Sequence, residues 1–240
     1  MNVQFARSML RRAAVPAGRM VMGGRAAPAL TTFRHAVQTP VVIRHFSASG
    51  LTGLLDRELS EEEENGPLVL PDELVELKDE LSKDWTIMDD KESGTVKMFR
   101  NSGSAKVSVV FHCQDTMDVD FDEDGEESSP EVRFVLTVTK AGKTMVLNCA
   151  SVEANAVVES VATTTESVDD IHATGKVHDK LYQGPQFDEL AEDLQEAFNV
   201  YVQTDCGIDT NVAAFISMFA DYKEQEEYIR WLKQTQAILA

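Results

Sequence analysis

Apolar positions along the chain change period twice. Leu51, Leu54, Leu55 and Leu59 recur at helical spacing, as do Leu74, Leu77 and Leu81. The first stripe predicts a helix that turns acidic at Glu61, Glu62, Glu63 and Glu64 and stops by Gly66-Pro67; the second predicts a short helix over 72–81. From Trp85 the period becomes two. Trp85–Met88 and Thr95–Arg100 read as strands joined by the turn Asp89-Asp90-Lys91-Glu92-Ser93-Gly94. Val107, Val109, Phe111 and Cys113 line one face of a third strand, and Val132, Phe134, Leu136 and Val138 one face of a fourth. Lys140-Ala141-Gly142-Lys143 turns tightly into a fifth, Thr144–Cys149. Ala156–Thr163 reads as a sixth and Lys180–Gln183 as a seventh. Short connections between neighbouring strands argue for an antiparallel meander.

The last third returns to helices. Phe187, Leu190, Ala191, Leu194, Ala197, Phe198 and Tyr201 form one stripe, stopped at Cys206-Gly207. Asp209 or Thr210 caps a further helix with Val212, Phe215, Ile216, Phe219 and Tyr222 on one side. The final stretch is apolar on two sides: Ile229, Leu232 and Leu239 on one, Tyr228, Trp231 and Ile238 on the other. Either the second side is an oligomer contact or the helix is sandwiched within one chain.

Charge changes this picture at the N-terminus. The formal charge is −19, yet no Asp or Glu precedes Asp56, while Arg7, Arg11, Arg12, Arg19, Arg25, Arg34 and Arg44 do. An arginine-rich, acid-free, hydroxyl-containing segment is the composition of a mitochondrial transit peptide, which the membrane potential draws inward. A disordered basic tail is the plainer alternative. The Arg44-His45-Phe46-Ser47 segment resembles a matrix-processing site, so residues 1–46 are expected to be removed and 47–240 to form a single domain. Cutting after His45 removes seven positive charges, taking −19 to −26. That field opposes nucleic acid and anionic lipid as direct partners and favours basic proteins. No run approaches the roughly 18 apolar residues of a membrane-spanning helix.

Motifs that would carry chemistry are weak. Asp120-Phe121-Asp122-Glu123-Asp124-Gly125 with Glu131 matches a calcium-loop pattern. The flanks alternate like strands, however, and Pro130 precedes the last ligand position. A solvated acidic loop over Asp118, Asp120, Asp122, Glu123, Asp124, Glu126 and Glu127 is the favoured reading, with cation binding through Asp120, Asp122, Asp124 and Glu131 as the alternative. Gly142-Lys143-Thr144 ends like a phosphate loop but lacks its first glycine and joins two strands. Cys113, Cys149 and Cys206 are too widely spaced for a zinc motif and read as buried apolar side chains. His112 reads as a half-exposed strand position; His172 and His178 fall in a polar connecting segment. No catalytic residue and no cofactor site is expected.

Three segments carry a family resemblance: Gly94-Thr95-Val96-Lys97-Met98-Phe99-Arg100, Lys143-Thr144-Met145-Val146-Leu147-Asn148-Cys149, and Gly207-Ile208-Asp209 through Glu227-Tyr228-Ile229. In order and spacing over about residues 51–239 they resemble the mitochondrial matrix glycoprotein family, also called the mitochondrial acidic matrix proteins. Its animal member binds the globular heads of the first complement component. The resemblance implies an α+β fold, a strongly twisted seven-stranded antiparallel sheet flanked by N-terminal and C-terminal helices. It also implies a homotrimer in the mitochondrial matrix that binds or chaperones basic proteins such as ribosomal proteins. Support of mitochondrial translation, ribosome assembly and oxidative phosphorylation would follow, with no catalytic residues. The oligomer contact would then be Tyr228, Trp231 and Ile238. The acidic partner surface would comprise Glu61–Glu64 and the loop acids from Asp118 to Glu127. The connection after Cys149 is shorter than the acidic insertion of animal members, so partners tied to that insertion are not implied; direct RNA contact is left open.

Overall fold

In the computed structural model, which describes residues 48–64, 68–117 and 131–239, the period-two region becomes one antiparallel sheet. Its six strands lie in sequence order: β1 (Thr86–Asp89), β2 (Thr95–Ser102), β3 (Ala105–Met117), β4 (Glu131–Lys140), β5 (Lys143–Val152) and β6 (Asn155–Thr164). The alternation sets the register. Met98 faces Val109, Val109 faces Leu136, Leu136 faces Leu147 and Leu147 faces Val161, one apolar row across five strands. A slip of one residue would turn that row to the other side of the sheet, so burial holds the register.

The helices are α1 (Ala48–Glu64), α2 (Asp72–Leu81), α3 (Val168–Thr174), α4 (Glu192–Thr204) and α5 (Thr210–Leu239). By contact, the chain divides into Gly66–Trp231 and a smaller unit of Met1–Asn65 with Leu232–Ala240; α5 runs from one into the other. In the larger unit, Leu74 and Leu81 of α2, Val202 of α4 and Val212, Phe215, Ile216 and Phe219 of α5 join the apolar row of the sheet in one core. The opposite side of the sheet is covered in part by α3, where Ile171 and Val177 pack on Val146 and Ala162. In the smaller unit Leu55 and Leu232 are buried, Gln236 donates to the Asp56 carboxylate, and Lys233 lies 3.8 Å from Glu63.

Three expectations are corrected. The sheet has six strands among the described residues, not seven, because Lys180–Gln183 is not extended. Its backbone bonds to itself: Leu181 N donates to His178 O, and the Gln183 amide donates to the carbonyls of His178 and Leu181. The stripe from Phe187 to Tyr201 is not one helix. A single 3-10 turn at Phe187–Glu189 is followed by extended backbone at Leu190 and Ala191, and α4 starts only at Glu192. Finally, the polar connection holding His172 contains α3, whose boundary signals are plain in retrospect. Ser167 caps it by accepting from Asp170 N, and Gly175 closes it at φ 72°.

Other expectations hold. Asp209 caps α5, its Oδ1 accepting from Asn211 N and Val212 N at 3.1 and 3.0 Å. Lys140-Ala141-Gly142-Lys143 is a two-residue hairpin with both central residues at positive φ.

Candidate interaction surface

Exposed acids dominate the helices. On α1, Glu61 pairs with Arg57 at 3.6 Å one turn earlier, Glu63 faces Lys233, and Glu64 is exposed. Glu62 is buried, so three of the four predicted acids are open to a partner. Sequence reasoning predicted the helix α2 but not its acidic surface: it presents Asp72, Glu73, Glu76, Asp79 and Glu80 to solvent while Leu74 and Leu81 anchor it. Its one cation, the half-buried Lys78, sits 5.1 Å over the ring of Phe219. The legible signal was acids filling the positions between Leu74, Leu77 and Leu81. Asp188, Glu189, Glu192, Asp193 and Glu196 form a further exposed set around the start of α4, where they also complement the helix dipole.

Asp118, Asp120, Asp122, Glu123, Asp124, Glu126 and Glu127 lie outside the described residues. Glu131, the last position of the calcium-loop pattern, opens β4 half-buried, opposite Met117 of β3. The pattern is therefore flanked by strands, not by the two helices of a helix–loop–helix calcium site. Among the described residues no group of three or more His, Cys, Asp or Glu could hold a metal ion.

Among the described residues the one fully enclosed charged side chain is Lys223 of α5. Its side chain is fully enclosed, with Nζ 2.8 Å from Asp89 Oδ1, 2.8 Å from the Asp90 carbonyl and 3.1 Å from Glu226 Oε2. Burial works against ionisation of both Asp89 and Lys223. Their mutual hydrogen bond and charge win, so the Asp89 carboxyl sits below its usual range and Lys223 above its own. This network clamps the β1–β2 turn to α5.

On the far side of the sheet, His172 Nε2 lies 3.1 Å from Ser108 Oγ, which shares a 2.5 Å hydrogen bond with Thr137 Oγ1. A serine–histidine pair invites a nucleophilic reading, but Ser108, Thr137 and His172 are all buried and no substrate atom can reach them. Burial first, then the charge of Lys97, lowers the His172 pKa; Asp169 opposes them. His112 is half-buried on β3, its Nδ1 accepting from Gln114 N at 3.1 Å. Burial also pushes Cys113 and Cys206 up to about 11 and Cys149 higher still, so these thiols stay protonated and inert.

The predicted oligomer residues separate in exposure. Trp231 is 54% exposed and Ile238 83%, both far more open than Leu232 at 2%. Tyr228 is half-buried and stacks on Trp231, ring centroids 6.1 Å apart. No helix among the described residues is long and apolar enough to cross a membrane.

A family model described as MAM33, mitochondrial glycoprotein, matches residues 55–239. A mitochondrial acidic protein, mam33, of Schizosaccharomyces pombe is 40% identical over 60 residues, covering 25% of this chain and 22% of that protein. This match thus spans about a fifth of the relative's length. Two solved structures share the fold with a TM-score of 0.58 each, covering 80% of this chain. One is a Leishmania major protein of unknown function described as a sequence homologue of human p32, 18% identical with 99% of its chain covered. The other is the Trypanosoma brucei p22 protein, 19% identical with 98% covered.

Proposed function

The chain belongs to the mitochondrial glycoprotein family, which is non-enzymatic, and from that premise we propose that it is an acidic matrix homotrimer that binds and chaperones basic proteins. The clients would be mitochondrial ribosomal proteins and others of that charge, and the outcome support of translation, ribosome assembly and oxidative phosphorylation. The observation that carries this reading is the placement of charge. With 41 acids to 22 bases, acids crowd exposed helix positions such as those of α2, while Lys223 is enclosed. Carboxylates mounted on packed helices make a fixed negative field that attracts cationic clients before contact. The acids of residues 118–127 would add to it.

Residues 1–46 would serve as the matrix address and be removed on import. Trp231 and Ile238, each a large exposed apolar side chain, would be covered in the oligomer together with Tyr228, which stacks on Trp231. The test of the field is salt. Affinity for a purified basic ribosomal protein is expected to fall by at least about tenfold between 50 and 300 mM salt, roughly the range over which the Debye length shortens below 10 Å. Binding that ignores salt would overturn the mechanism.

A further inference from the structure

The β4–β5 hairpin sets Lys140 and Lys143 directly opposite each other across its two-residue turn. Like charges in register repel. Elsewhere in this acid-rich chain Lys91, Lys176, Lys223 and Lys233 each sit beside a carboxylate. Lys140 and Lys143 form no ion pair among the described residues, so nothing there offsets their repulsion.

Both lysines line a cleft of about 540 Å³. Small-molecule sites commonly occupy about 300–1,000 Å³. The floor is one row of the sheet, in which Val107 faces Val138, Val138 faces Met145 and Met145 faces Thr163. Tyr201 and Asp205, at the end of α4, supply the facing wall. That wall is tied in place, because Ser102 Oγ donates to the Asp205 carbonyl at 2.9 Å. The Asp205 carboxylate accepts from the Thr204 hydroxyl at 3.0 Å, which partly satisfies it. The cleft thus sets two ammonium groups against one carboxylate, a net positive lining, with apolar side chains between them and the helix.

We propose that this cleft binds a small amphiphilic carboxylate, its head between Lys140 and Lys143 and its alkyl chain between Met145 and the Tyr201 ring. The paired charges select the head; the half-buried Met145 and Tyr201, which still meet water in the cleft, select a chain over a bare anion. The proposal is independent of the acidic surface, which repels such a ligand at long range and cannot hold it.

Calorimetric titration of the full chain with decanoate, below its micelle concentration, tests this. One-to-one binding is expected, with acetate weaker by at least about tenfold and the Lys140→Gln/Lys143→Gln double variant weaker by a similar factor. Both lysines are exposed, so the variant is expected to fold, which its circular dichroism and melting temperature would verify. Lys176→Gln/Lys180→Gln serves as a charge-matched control and is expected to bind like the parent. No binding up to about 1 mM decanoate, acetate binding as tightly, or equal loss in the control variant would each overturn the proposal.

Discussion

Single residues set the pH response and the strongest polar dependence of the larger unit. His172 is neutral where it is buried, and its pKa lies below the ordinary 6.5 through burial and the charge of Lys97. The unfolded chain therefore takes up the proton first as pH falls. Stability from this group is full above about 6.5 and is lost as pH drops from there toward the folded-state value. Urea unfolding at pH 8 and pH 5.5 is expected to show a steeper loss in the parent than in His172→Gln, whose amide cannot titrate. Asp89 is the complementary case. Replacing it by asparagine leaves the enclosed Lys223 ammonium without its nearest carboxylate, which is expected to cost about 3 kcal/mol in denaturant unfolding at pH 7. Glu226 remains within reach of Lys223, so the loss is not expected to exceed that of a lone buried charge.

Among the elements, the exposed edge of the sheet is where local and tertiary preferences meet. β6 carries a bulge, the pairing shifting between Asn148 and Cys149, and its far side is covered without a seventh strand. Val158 N donates to Asn199 Oδ1 of α4, and the chain at Gly184 comes so close that an added Cβ would lie 1.9 Å from the Val161 carbonyl oxygen. Gly184 also has φ 92°, a conformation that side chains rarely adopt. Gly184→Ala is therefore expected to destabilise by about 2 kcal/mol and to raise amide exchange along β6. Unchanged melting with unchanged exchange would show that the segment does not cover the edge. Alternation made strands β2 to β5 readable to within a few residues. It also produced the false strand at Lys180–Gln183, because a four-residue pattern carries too little periodicity to outweigh its own turn-forming hydrogen bonds.

At the scale of the molecule, α5 leaves the large apolar side chains of Trp231 and Ile238 exposed. Trp231→Glu/Ile238→Glu is expected to lower the native mass from oligomer to monomer, read by native mass spectrometry, while leaving the Lys223 network intact. A parent chain that is itself monomeric would remove the basis for that assembly. The acidic surface is legible at this scale in another way. Glu61–Glu64 stood out as a run, whereas the five exposed acids of α2 are interleaved with leucines and show as a surface only once the helix is packed.

The sequence alone determined the period of strands β1 to β6, the acid excess, a cap at Asp209 or Thr210 and the tight turn at Ala141-Gly142, because each depends on neighbours a few residues apart. Tertiary structure decided the burial of Glu62, the joining of His172 to Ser108 and Thr137, the enclosure of Lys223 by Asp89, and the cleft beside Lys140 and Lys143. Those last three join residues up to 134 positions apart in the chain, and periodicity carries no information about such pairs. Burial of a polar group and the identity of its partner are properties of the packed molecule, where desolvation makes each unmatched atom costly and so selects the partner.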